Sequence, residues 1–400
     1  MGMGFPGNCV VHCMTIGKRY DEVTNMKTKK SWNHKWYTAE FLMDLKATAH
    51  TVMDGDLPVT VKYAPDAGSE LAIDPRLLGG PLGRNAKKMA LLPDFLLDRM
   101  KIHSDPKSIA SFRKNCDRIS SAVCVRRGID LLDMTVPTGS GYEIPIRIYR
   151  SEACRPGCSC LYFMHGGGFI GGGIPPYDEV WKVFVEKFHM VVVSAAYRLL
   201  PENPYPTPYE DCFRVLEWIH DRADDLKIDP TRVFVTGDSA GGNLAQSCST
   251  RARGTGMVRG QLLLYPTLNM FCIEDAYYRL DGRNFSYEPK QRRLSRCVVR
   301  QTEMMVRSLD GSFGIREPDP WCNPYSFGAD GNPPTFLSVG ALDFLKNDTI
   351  AWAHKLQDAG VPVKVVVYNG MGHGYLNAMG VFPQAEDLVD EMGQFILECR

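Results

Sequence analysis

Val233-Phe234-Val235-Thr236-Gly237-Asp238-Ser239-Ala240-Gly241-Gly242 carries a β-branched apolar run straight into a Gly-x-Ser-x-Gly turn, with a helix-compatible stretch behind it. A serine hydroxyl is a poor nucleophile until geometry and a base activate it. A tight strand-to-helix turn lifts Ser239 to the top of a sheet, exposes its oxygen and aims the Ala240 N–H at an incoming carbonyl. Glycine tolerates the crowding on either side of such a turn, which accounts for Gly237 and Gly241. The pentapeptide alone is common. The strand before it and the helix after it give it meaning.

Working upstream, Leu161-Tyr162-Phe163-Met164 reads as a buried strand ending in His165-Gly166-Gly167-Gly168-Phe169. A glycine run after a strand leaves backbone N–H groups clear of side chains, so it can hold a developing oxyanion. The bland alternative is a flexible or nucleotide-binding loop. A P-loop needs Lys-Ser or Lys-Thr after its glycines, and none follows. Gly166, Gly167 and Gly168 do not open a helix with Gly-x-Gly-x-x-Gly spacing either. With Ser239 downstream, the N–H groups of Gly167, Gly168 and Ala240 become the candidate oxyanion hole.

The 400 residues are 44% hydrophobic and 23% charged, ordinary for a globular chain long enough for one large α/β core and an accessory lobe. A formal net charge of zero argues against a nucleic-acid partner held by a basic surface. The local basic stretch Lys27-Thr28-Lys29-Lys30 reads as a solvated loop. No run approaches the ~20 apolar residues of a membrane span. The start of the chain lacks a basic region followed by an apolar stretch, so a cytoplasmic location is expected. The thirteen cysteines are odd in number and scattered, as buried free thiols would be. Cys154, Cys158 and Cys160 cluster without the paired Cys-x-x-Cys arms of a zinc site. They fit the turn leading to the strand at Leu161.

From Asp130 onward, short β-branched runs alternate with helical stretches, the pattern of a mostly parallel sheet covered on both faces. Ile129 to Val136 and Ile144 to Tyr149 read as an opening antiparallel pair. Six more strands follow at Leu161–Met164, Met190–Tyr197, Arg232–Thr236, Gln261–Tyr265, Thr335–Val339 and Val363–Tyr368, eight in all. Helices are expected at Tyr177–Phe188, Pro208–Arg222, Asn243–Arg251, Thr349–Ala359 and Ala385–Glu398. Residues 1–125 show helical pieces, Leu91–Met100 and Ser108–Cys116, but no sheet of their own. Cys272 to Asn323 is polar and rich in arginine and aromatics, an insertion or a plain surface excursion.

His165 to Phe169, the Gly237 to Gly242 elbow and Tyr197-Arg198-Leu199-Leu200-Pro201-Glu202 together resemble the hormone-sensitive-lipase-like carboxylesterases of the α/β-hydrolase fold, including the arylacetamide-deacetylase type. The resemblance runs from about Ile129 to the C-terminus. It implies an α/β-hydrolase fold with an eight-stranded sheet, a helical cap within residues 1–125 and a catalytic domain over 126–400, in which the stretch 272–323, if an insertion, could complete the lid. It says little about the first forty-odd residues.

In this fold the chain order is nucleophile, acid, histidine. Two histidines follow Ser239. His354 lies within a helical stretch, away from any strand end, and reads as a packed or surface histidine. His373, in Asn369-Gly370-Met371-Gly372-His373-Gly374-Tyr375, follows the last strand at the sheet edge where catalytic groups collect. Tyr375 stands where the family usually has phenylalanine. For the acid, Asp343 follows the strand Thr335–Val339, where the family shows Asp-Pro-Leu; Phe344 departs from the proline. Asp348 competes, but suits the first turn of a helix better. His165 is expected to orient the glycine loop through a hydrogen bond, and Asp238 to serve as an acceptor beside the elbow. Glu202 and Asp211 are expected in an internal polar network behind the site.

The resemblance implies hydrolysis of small-to-medium acyl esters through a Ser239–His373–Asp343 triad. An amidase, deacetylase or peptidase could use the same groups, and a non-catalytic receptor of small molecules is a further alternative on this fold. An interfacial lipase is disfavoured because no exposed apolar lid is evident. No cofactor or metal is required. The expected partners are small-molecule esters, with a homodimer left open.

Overall fold

The computed structural model describes residues 36–97, 100, 105–125, 128–309 and 317–399. The first thirty-five residues, including the basic stretch at Lys27, lie outside the described residues. Ten strands form one mixed sheet: β1 His50–Asp54, β2 Leu57–Lys62, β3 Asp130–Pro137, β4 Glu143–Arg150, β5 Cys158–Met164, β6 Val191–Ala195, β7 Ile228–Asp238, β8 Gly260–Leu264, β9 Thr335–Gly340 and β10 Val363–Tyr368, in spatial order β1-β2-β10-β9-β8-β7-β5-β6-β4-β3. The pairs from β2 through β10, β9, β8, β7 and β5 to β6 are parallel, whereas β1/β2, β3/β4 and β4/β6 are antiparallel. The described helices are α1 Ala39–Ala47, α2 Pro75–Gly79, α3 Pro81–Met89, α4 Asp94–Leu97, α5 Pro106–Cys116, α6 Asp178–Phe188, α7 Thr207–Asp221, α8 Ala223–Leu226, α9 Ala240–Arg251, α10 Arg292–Leu309, α11 Lys346–Asp358 and α12 Pro383–Glu398.

The sheet thus has ten strands and not the expected eight. The added pair, β1 and β2, comes from the N-terminal region expected to hold no sheet. Leu57-Pro58-Val59-Thr60-Val61 alternates inward and outward, and β2 covers the open edge of β10. β1 is exposed along its whole length, so it carries no apolar signal of its own. The hairpin is held from below as well. Lys62 is buried at the end of β2, and its Nζ donates to Asp387 Oδ2 at 2.7 Å and Glu391 Oε1 at 2.6 Å on α12. Tyr368 on β10 donates to the same Asp387 carboxylate, at 2.7 Å.

Strands β6, β8 and β9 are buried end to end, and β5 and β7 over their C-terminal halves, which is why they read as unbroken apolar runs. Trp181, Phe184 and Val180 of α6 and Trp352 of α11 are among the side chains that complete the main core. A second apolar cluster joins Ile73, Leu77, Ala86 and Met89 from the α2–α3 region to Cys297, Val298 and Val306 of α10 and to Leu342 and Phe344 beyond β9. This smaller lobe therefore sits at the carboxyl ends of β9 and β10.

Of the helix expected over Leu91–Met100, the described part is α4, which begins only after Pro93 because a proline cannot continue a helix from Leu91 and serves instead to start one. The tip of this lobe exposes Leu91 (85%) and Phe95 (60%), so apolar surface that was not evident in the sequence is present. The polar stretch from Cys272 to Asn323 contains an 18-residue amphipathic helix, α10. Its arginines mask a buried stripe that includes Cys297, Val298, Thr302 and Val306. Among the described residues no helix is long and apolar enough to cross a membrane.

Candidate active site

β7 ends at Asp238 and α9 starts at Ala240, leaving Ser239 at the corner with φ 56° and ψ −119°. A non-glycine residue rarely holds that conformation, and it persists only where the surroundings fix it. They do so here: Ser239 N–H donates to Leu264 O at 2.9 Å, and Ser239 O accepts from Gly242 N at 3.0 Å. The corner is too tight for side chains beside it. A Cβ on Gly237 would lie 2.1 Å from Gly241 O, and one on Gly241 would lie 2.0 Å from Met164 O at the end of β5.

His373, five residues beyond β10, points its Nε2 at Ser239 Oγ, 2.9 Å away. Its Nδ1 lies 2.7 Å from Oδ2 of Asp343, three residues beyond β9. A carboxylate only accepts, so Nδ1 carries the proton and Nε2 is free to accept from the serine hydroxyl. The two loops run in contact, since a Cβ on Gly340 would sit 2.5 Å from Met371 O. Asp343 is fully buried, and its Oδ1 accepts from Leu345 N–H at 3.0 Å. Tyr265 packs edge-on to the imidazole with ring centroids 5.0 Å apart. Burial pushes His373 toward its neutral form. The charge and hydrogen bond of Asp343, with the more distant charge of Asp238, outweigh it and raise the pKa above the ordinary histidine value.

Asp348 is elsewhere. It lies in the first turn of α11, where its Oδ2 accepts from the N–H groups of Leu268 (2.7 Å) and Asn269 (2.8 Å) and so anchors the loop after β8. His354 stacks on Tyr277 and bonds Asp54 Oδ1 at 2.9 Å, far from the elbow in its partners.

The glycine loop faces Ser239 across the tip of β5. Gly167, Gly168 and Phe169 all have positive φ (125°, 58° and 62°), a run that turns successive amides outward. A Cβ on Gly167 would meet Gly171 O at 2.2 Å. Among the described residues, the N–H groups of Gly167, Gly168 and Ala240 donate to no acceptor of the chain. Gly166 N–H is already used: it donates to Asp238 Oδ1 at 2.7 Å and ties this loop to the elbow. Burial pushes the Asp238 carboxyl up to about 6, against the pull of Gly166 N–H and of the Tyr177 hydroxyl, 3.0 Å from its Oδ2. His165 stacks on Tyr197 and sets its Nδ1 2.9 Å from Gly166 O. Burial lowers its pKa to about 4, so it stands neutral beside the loop.

The family model described as the alpha/beta hydrolase fold matches residues 161–377, which hold the elbow, the glycine loop and both loops beyond β9 and β10. The chain belongs to the α/β-hydrolase family. Within it, the likeness to hormone-sensitive-lipase-like esterases holds. Carboxylesterase NlhH of Mycobacterium tuberculosis is 33% identical over 248 residues, 61% of this chain and 75% of its own. Gibberellin receptor GID1A of Arabidopsis thaliana is 31% identical over 257 residues, 61% of this chain and 71% of its own. Among solved structures, the hyperthermophilic esterase of the archaeon Pyrobaculum calidifontis superposes with a TM-score of 0.65 at 25% identity, covering 82% of this chain and 99% of that one.

The sequence reading differs from this α/β-hydrolase at one point near the site. Glu202 is not internal: 58% of its side chain is exposed, and it pairs with Arg113 of α5, whose hydrogen bonds hold the carboxyl down to about 2. Asp211 is buried as expected, gripping Arg198 through both carboxylate oxygens. Three residues near the glycine loop were assigned no role from the sequence, although Tyr197 opens one of the motifs that carry the resemblance. Tyr197 fixes the loop from below by donating its hydroxyl to His165 O at 2.7 Å, and Tyr177 acts through Asp238, donating to its Oδ2 while Oδ1 holds Gly166 N–H. Arg113 reaches it from α5, in a helix whose sequence shows only ordinary amphipathic spacing.

Proposed function

We propose that this α/β-hydrolase is a serine carboxylesterase acting on esters with small-to-medium acyl groups. The observation that carries the reading is the single file from Asp343 through His373 to Ser239 Oγ, at 2.7 and 2.9 Å, beside unused N–H groups of Gly167, Gly168 and Ala240. In this reading His373 Nε2 takes the hydroxyl proton as Oγ bonds the ester carbon and the carbonyl π pair moves onto oxygen. The three N–H groups receive that oxyanion, each donor being worth about 3 kcal/mol. The intermediate collapses, the C–O bond to the alcohol breaks, and the imidazolium returns its proton to the leaving oxygen. Water then attacks the acyl-enzyme with His373 again as base, releasing the acid and restoring Ser239.

The lobe built from α2, α3, α4 and α10, together with α5, serves as the cap. It rests on the histidine loop: a Cβ on Gly372 would lie 2.8 Å from Leu82 and 3.1 Å from Val298. Such a cover excludes water and shapes the acyl and alcohol pockets. Residues up to about 125 would then divide between cap and sheet edge, with 126 onward as the catalytic domain.

The likeness to a plant hormone receptor is a reason to test turnover and not binding alone. p-Nitrophenyl acetate, the matching anilide and an acyl-length series should give fast ester cleavage, slow or no anilide cleavage and a preference for short chains. Ser239→Ala should lower kcat by about a millionfold. Binding of esters without turnover in the wild type would place the chain with the receptors; equal anilide cleavage would make it an amidase.

A further inference from the structure

Arg113 occupies a position that fold and triad alone do not require. Its Nε donates to Ile170 O at 2.6 Å, and one Nη donates to Leu200 O at 2.8 Å. Ile170 is part of the turn that the oxyanion loop closes on itself, with the Ile170 and Gly171 N–H groups donating to Gly167 O at 3.1 and 2.9 Å. Leu200 N–H in turn donates to Phe169 O at 2.9 Å. One guanidinium therefore closes a ring that runs from the loop through Phe169 and Leu200 and back to Ile170. The helix itself presses on the same turn, since a Cβ on Gly171 would stand 3.3 Å from Phe112 and 3.4 Å from the Arg113 backbone.

The loop needs such support. Gly167 and Gly168 take positive φ freely and so do not hold the turn by themselves, whereas Phe169, a non-glycine residue at φ 62°, keeps that conformation only where its surroundings fix it. Its floor is held by Asp238 and Tyr197, and these stop at Gly166 and His165. From Phe169 to Gly171, the side facing α5 is bonded by Arg113. The fork geometry matters here, because a planar guanidinium can serve two carbonyls in different directions at once, whereas an ammonium is a point donor.

We propose that Arg113 is a positioning residue: from α5 it locks the oxyanion turn with the Gly167 and Gly168 N–H groups aimed outward, so that docking of α5 and assembly of the oxyanion hole are one event. This rests on the esterase reading above. Glu202 holds the outer face of the guanidinium through both its oxygens, at 2.9 and 2.6 Å, but it is largely solvated, and an ion pair so exposed contributes little. The carbonyl bonds carry the effect.

The test uses the full-length chain with p-nitrophenyl acetate and an alkyl trifluoromethyl ketone. That ketone adds Ser239 Oγ across its C=O, the hydroxyl proton passing to His373 and the new oxyanion entering the hole. Arg113→Met should lower kcat about tenfold or more while KM stays within about threefold, since loosened donors cost less than the 10²–10³ of a deleted one. Ketone affinity should fall by the same factor as kcat/KM, because both report binding of the tetrahedral state. Arg113→Lys should recover only part of kcat. Glu202→Gln should keep kcat within about threefold. Wild-type kcat and ketone affinity in Arg113→Met, with only KM or the melting temperature changed, would overturn the proposal. So would a loss in Glu202→Gln equal to that in Arg113→Met, which would assign the effect to the ion pair. A wild-type chain that neither cleaves the ester nor binds the ketone overturns the esterase reading, and this proposal with it.

Discussion

Replacing Asp343 by asparagine should disable catalysis without emptying the site, and the hydrogen bonds of the buried carboxylate say why. Asp343 Oδ1 accepts from Leu345 N–H at 3.0 Å and Oδ2 faces His373 Nδ1 at 2.7 Å. An asparagine must keep its single oxygen on the Leu345 amide, because a buried N–H left without an acceptor costs ~1–3 kcal/mol. Its NH₂ group then faces Nδ1, which can only accept. The ring proton moves to Nε2, opposite Ser239 Oγ, and the base has no lone pair for the serine proton. In serine proteases the same exchange lowers kcat by about 10⁴, equivalent to ~5.4 kcal/mol of barrier. The pH profile should move too. His373 must be neutral to act, so kcat/KM in the wild type rises with pH through an inflection above the ordinary value of about 6.5, where Asp343 outweighs burial. With the carboxylate charge gone, burial prevails and the rising limb shifts to lower pH. Steady-state kinetics on p-nitrophenyl acetate from pH 5 to 9 read both effects. A loss below about tenfold, or an inflection that stays put or moves up, would refute the tautomer argument.

Two further outcomes concern the frame that holds the site. Gly241→Ala forces a methyl to within 2.0 Å of Met164 O, so thermal or urea unfolding should show a loss of at least ~1–3 kcal/mol; unchanged stability would mean that the elbow and β5 are less tightly opposed than described. Lys62→Met leaves the buried Asp387 carboxylate facing an apolar side chain with no cation beside it, while Glu391 keeps Lys364, and should cost about 3–5 kcal/mol, read by urea denaturation at neutral pH. Wild-type stability in that variant would show that the β2 hairpin does not depend on this ion pair.

The elements that position the site were legible because each carries a local signature. β5 and β7 are buried on both faces and read as apolar runs, and each ends in glycines that the crossing at Met164 and Gly241 demands. His373 and Asp343 could be chosen by their places after β10 and β9, which is topology and not chemistry. The sequence also contains Asp348, only five residues on, which its place in a helix first turn sets apart; what it does there depends on the amides of Leu268 and Asn269, which arrive from the loop after β8. β1 escaped notice because it is solvated on both faces and borrows its order from β2. α10 escaped because arginines crowd its outer face, so its mean polarity hides the stripe that meets Leu77 and Met89. Arg113 had no signal at all, since two of its acceptors are backbone carbonyls, which any residue supplies.

The most direct test of the central claim is covalent labelling. A fluorophosphonate probe, followed by peptide mass spectrometry, should modify wild-type chain stoichiometrically at Ser239, and His373→Ala should slow that reaction by at least about 10³-fold. An adduct on another residue, no adduct, or equal labelling rates with and without the imidazole would contradict the account.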